Sequence, residues 1–85
     1  MSEHPSTVEE AVERLIEELP EESKEQLRRM EKDDLIRTHF ALGMWIRNHY
    51  GLWHGNTALK EDAGADHADS VSMIIIERLW ERLRE

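Results

Sequence analysis

The longest periodic stretch of the chain, residues 35–50, constrains the fold most. Leu35, Ile36, His39, Phe40, Gly43, Ile46, Arg47 and Tyr50 recur at the 3.6-residue spacing that places them on one broad helical face, with Leu42 and Trp45 beside it. Asp33 and Asp34 precede the stretch and Gly51 follows it, as acidic residues and glycine do at the two ends of a helix. Apolar over much of its circumference, it is expected to be a continuous helix and the most buried of the molecule.

The flanking segments repeat the pattern. Val8, Ala11, Val12, Leu15, Ile16 and Leu19 form one face of an amphipathic helix, with Ser6 and Glu9 as its capping box. Pro20 ends that helix and suits the first position of a second one over residues 20–30, which turns Leu27 and Met30 inward. Asn56 can cap a short turn over residues 57–62 that stops at Gly64. A last helix starts at Asp66 or His67 and runs to about residue 84, with Val71, Ile75, Ile76, Leu79 and Leu83 inside. No run alternates at period two. The expectation is an all-α protein, a compact bundle of four main helices and one short connecting helix, in a single domain over residues 1–85 with residues 1–6 disordered. Eighty-five residues suffice for one core and not for two.

Charge and composition narrow the function classes. The net charge is -8, and twelve of the nineteen acids fall in residues 1–36 while residues 37–60 contain none. An acidic body repels polyanions, so nucleic acid is not the expected partner. With no cysteine there is no disulfide framework, no thiol nucleophile and no thiolate metal site. The first residues lack the basic and apolar regions of a secretory signal, and the longest aliphatic run is Met73-Ile74-Ile75-Ile76, so a cytoplasmic protein without membrane spans is expected.

Chemistry is sparse. The four glycines fit no phosphate-binding loop, and the serines show no nucleophile elbow. His49 with His54, or His67 with Asp66 and Asp69, offer donors that zinc accepts, but none has the i, i+4 spacing of a helical zinc pair. No metal or cofactor is therefore expected. Arg47 and His54 stand at a spacing that resembles the Arg-x(4 to 6)-His motif of HEPN ribonucleases, in which Arg holds the scissile phosphate and His is the general acid or base, and the alternative it offers is an RNA- or nucleotide-acting protein using Arg47 with His54 or His49. The competing expectation is that Arg47 pairs with an acid where helices meet. Trp45, Tyr50, Trp53 and Trp80 serve either as core or as contact residues, and a Trp53 in a loop suits contact.

The run His39-Phe40-Ala41-Leu42-Gly43-Met44-Trp45-Ile46-Arg47-Asn48-His49-Tyr50-Gly51-Leu52-Trp53, followed by Gly55-Asn56 and by His67-Ala68-Asp69-Ser70-Val71-Ser72, resembles a small bacterial family classed as a domain of unknown function. That family carries the pattern H-F-x-L-G-x-x-I-R-N-x-x-G-L-W-x-G and then H-P-D-D-x-S. Ala68 stands where the family has Pro, and His54 departs from the glycine common at its position, which weakens the ribonuclease alternative. The resemblance implies no activity. It implies that His39, Arg47, Asn48, Trp53, Asn56, His67, Asp69 and Ser72 form a polar cluster, either a binding site or a device that ties the Gly51 turn to the last helix. The functional expectation is a non-catalytic protein-interaction or regulatory module with a protein partner. A homodimer through exposed Trp80 and Leu83 is a further possibility, and an enzyme has little support.

Overall fold

The computed structural model describes residues 4–85 and is all-α among them. Helix α1 spans Val8–Glu18. Its cap lies one residue later than expected: Thr7 Oγ1 accepts from Glu10 N at 3.0 Å, and Glu10 Oε1 reaches back to accept from Ser6 N at 2.7 Å. The exchange is like that of a capping box, except that Glu10 reaches the residue before the cap and not the cap itself. Val8, Ala11, Val12 and Leu15 are buried.

Helix α2, Glu21–Arg29, starts directly after Pro20, with Glu21 and Glu22 in its first turn and Arg28 and Arg29 in its last, a distribution that complements the helix dipole. Leu27 is buried and Met30 half-buried.

The central segment is helical throughout but not uniform. It is a 3-10 helix over Lys32–Thr38, a π turn over His39–Gly43 and an α-helix, α3, only over Met44–His49. Tightening and then widening the turn changes the angular register, and two residues of the expected inner face end up outside. Ile36 is 61% exposed and Phe40 79%, while Leu35, Gly43, Ile46 and Arg47 are buried. This composite rod is therefore not the most buried helix.

Gly51, at a φ of 72°, ends the rod in the left-handed conformation that glycine adopts without strain. A 3-10 turn, Leu52–His54, leads to α4, Thr57–Ala63, which Asn56 caps by accepting from Leu59 N at 3.3 Å. Gly64 closes α4, and α5 covers Ala68–Leu83.

Helix α5 is the hub. It packs against α1, α2, α3, α4 and the front of the rod, and its Val71, Ile75, Ile76 and Leu79 are fully buried against Val12, Leu15, Ile46, Leu52 and Leu59. Each such side chain stabilises by about 1.5–3 kcal/mol on burial. The rod, expected at the centre, packs on one flank of α5. Trp80 and Leu83, which the homodimer alternative takes as exposed, are half-buried; Trp80 Nε1 donates to Met30 O at 2.9 Å, and Arg84 lies over its ring.

The expected disorder of residues 1–6 falls partly on residues 1–3, outside the described residues. At the other end of that segment Pro5 is buried, Asn56 Nδ2 donates to Pro5 O at 2.9 Å, and His4 Nδ1 lies 3.1 Å from His49 O. Among the described residues no helix is long and apolar enough to cross a membrane.

Candidate functional site

Gly43 and Arg47 share a face of the rod one turn apart, and the missing side chain of Gly43 leaves the space that the Arg47 guanidinium fills. A Cβ added at Gly43 would stand 3.0 Å from Arg47 Nη1. The guanidinium folds back along the rod, where Nη2 donates to His39 O at 3.2 Å, eight residues upstream. It also bridges to α5: Nη1 donates to Ser72 Oγ at 3.1 Å, and Nε is 3.4 Å from Asp69 Oδ1. Ser72 Oγ in turn donates to Asp69 O at 2.9 Å. Helices deform where a side chain competes for backbone acceptors, and the π turn lies where Arg47 does so.

Arg47 is only 3% exposed, so its charge needs these partners. Asp69 itself is exposed. His39 stands 4.0 Å from Asp69 through Nε2, while its Nδ1 is buried without a hydrogen bond, as is Arg47 Nε, which meets Asp69 through charge alone. Four of the eight expected residues, His39, Arg47, Asp69 and Ser72, are thus assembled into one network that staples the rod to the start of α5.

The other four lie apart from that network or at its edge. Trp53 is 56% exposed in the turn after the rod; its Nε1 donates to Asn48 Oδ1 at 2.8 Å, and the Arg47 guanidinium lies 5.9 Å from the ring centre. Asn56 is structural: besides capping α4 it donates to Tyr50 O at 2.8 Å and to Pro5 O. His67 occupies the position before α5 but makes no side-chain cap, and it is exposed.

The Arg and His of the nuclease alternative are not brought together. The Arg47 guanidinium is buried and engaged, His54 is exposed in the turn, and His49 stacks on Trp45 with ring centres 4.2 Å apart. Among the described residues no group of three or more His, Asp or Glu could hold a metal ion. Burial, reinforced by the charge of Glu18 and a hydrogen bond to it, holds the Tyr50 phenol well above its usual value of 10.0.

The feature missed in the sequence is apolar. Ile36, Phe40 and Met44 follow one another at i, i+4 and i+8 along the outside of the rod, at 61%, 79% and 46% exposure. The His39 ring meets Phe40 edge to face at 5.0 Å. The available signal was Arg47 itself: a buried guanidinium on the presumed inner face must find partners, and reaching them displaces the residues upstream. A concavity of about 470 Å³ lies between α2 and the rod, lined by Leu19, Leu27, Met30, Thr38, Leu42 and Trp45.

The family model described as Domain of unknown function (DUF6794) matches residues 4–83. No curated protein and no solved structure matches the chain.

Proposed function

The chain belongs to the family of unknown function whose model covers residues 4–83, and we propose that it is a non-catalytic module that docks a protein through Ile36, Phe40 and Met44, with the exposed Trp53 as a further contact. The exposure of Phe40, at 79%, carries this reading. Large apolar side chains grouped on a small soluble surface mark contact sites, and aromatic ones contribute most of the energy there. The polar cluster supports it in a different way, because Arg47, Asp69, Ser72 and His39 hold the rod in the register that presents the stripe. Their role is positioning. A cytoplasmic setting belongs to the same proposal, supported by the cysteine-free composition, and the charge of -8 weighs against a nucleic-acid partner.

The test compares proteins retained from lysate of the source cells by the tagged chain and by its Phe40→Asp variant, with helical circular dichroism as the control for folding. The variant is expected to keep its helicity and lose the retained proteins. An unchanged set of retained proteins overturns the reading.

A further inference from the structure

We propose that the hollow between α2 and the rod binds a small amphiphile with a carboxylate head and an aliphatic tail, a site separate from the exposed apolar residues of the docking reading. Helix α2 and the rod each pack on α5, and between themselves they leave about 470 Å³, within the range of small-molecule sites. One wall runs from Ser23 to Met30 on α2 and the other from Arg37 to Trp45 on the rod. The two ends are bounded. At one, the chain passes from Met30 into the rod, and Trp80 Nε1 fastens Met30 O at 2.9 Å. At the other, Tyr50 Oη donates to Glu18 Oε1 at 3.4 Å and the Tyr50 ring meets Trp45 edge to face at 5.5 Å. Between Arg37 and Trp45 the rod rises roughly 12 Å. A partner helix lays several turns along an open groove, whereas this bounded hollow has the length of an extended aliphatic chain of medium size. Leu27, Met30, Leu42 and Trp45 give that chain an apolar bed, and Trp45 is already held by the His49 ring stacked on it at 4.2 Å.

Charge names the head group. In a chain with nineteen acids no Asp or Glu lines this hollow, and Arg37 is its one charged residue. On α2, Glu21 pairs with Lys24, and Glu25 with Arg28 and Arg29. The Arg37 side chain is 79% exposed, and its pair with Asp34 is long, 3.9 Å through Nε. A carboxylate at hydrogen-bond distance offers the guanidinium the bidentate partner that this pair does not. A cationic head would meet Arg37 with no acid in the lining to offset it.

The test titrates the isotope-labelled full chain with decanoate, below its micelle concentration, and follows the Trp45 indole and the backbone amides by NMR. Saturable shifts confined to residues 19–30 and 37–45 are expected. Arg37→Gln should weaken decanoate about two- to fivefold and leave decanol unchanged, because an exposed arginine contributes through its charge. Ala41→Trp, at an exposed position of the lining, should block both with circular dichroism unchanged. Decyltrimethylammonium should bind more weakly than either. Shifts that do not saturate, shifts centred on Phe40 or Trp53, equal affinity for the ammonium and the carboxylate, or decanoate binding indifferent to Arg37→Gln would each overturn the proposal.

Discussion

At the scale of single residues, Arg47 is costly to remove because its guanidinium is buried and joins two elements. Arg47→Ala removes the donors to Ser72 Oγ and His39 O and leaves a cavity beside Gly43, which already lacks a side chain to fill it. We expect a loss of about 2–4 kcal/mol in urea unfolding, a large share of what a small domain has. Asp69→Asn should cost less, under about 1 kcal/mol, because Asp69 is exposed and the amide oxygen can still face Nε. Equal losses would show that the ion pair, not the buried guanidinium, carries the staple. Tyr50 supplies a pH dependence. Its folded phenol holds its proton more tightly than the unfolded one, whose value is near 10.0, so its contribution is intact below that pH and is lost as pH rises above it. Tyr50→Phe should flatten the alkaline fall in stability measured above about pH 10, and an unchanged slope would assign that fall to other groups.

Among the elements, α1 and α5 were legible because strict period marks their inner faces, with a side-chain cap at α1 alone of the two, and tertiary packing had nothing to override. Residues 35–50 had equally strong periodicity, and there it misled. Period counts apolar positions but says nothing of what a buried Arg47 must reach, and the segment in which it reaches back to His39 O is not one helix but 3-10, π and α turns in succession. The residues of the polar cluster were legible as types, and His39, Arg47, Asp69 and Ser72 do meet. That α5 rather than the rod is the hub was not legible, since amphipathic helices of similar strength do not declare which one the others surround. Turns of 3-10 and π geometry bond less well than α turns, and the front of the rod is partly solvent-facing. Native-state hydrogen exchange should therefore find the amides of residues 32–43 less protected than those of residues 71–79 in α5 by at least about tenfold. Equal protection would make the rod and hub one cooperative unit.

For the whole molecule, the acid excess sets how charge acts on stability. Nineteen acids oppose eleven bases, and the body spans only 32 × 25 × 20 Å. At an ionic strength of about 0.01 M screening extends about 30 Å, so the excess negative charge repels itself across the fold. Salt weakens that repulsion and leaves the apolar core in place. Raising sodium chloride from roughly 0.01 to 0.5 M should therefore raise the urea midpoint of unfolding. A falling midpoint would mean that surface ion pairs such as Arg82 with Glu9 contribute more to the fold than the acid excess removes.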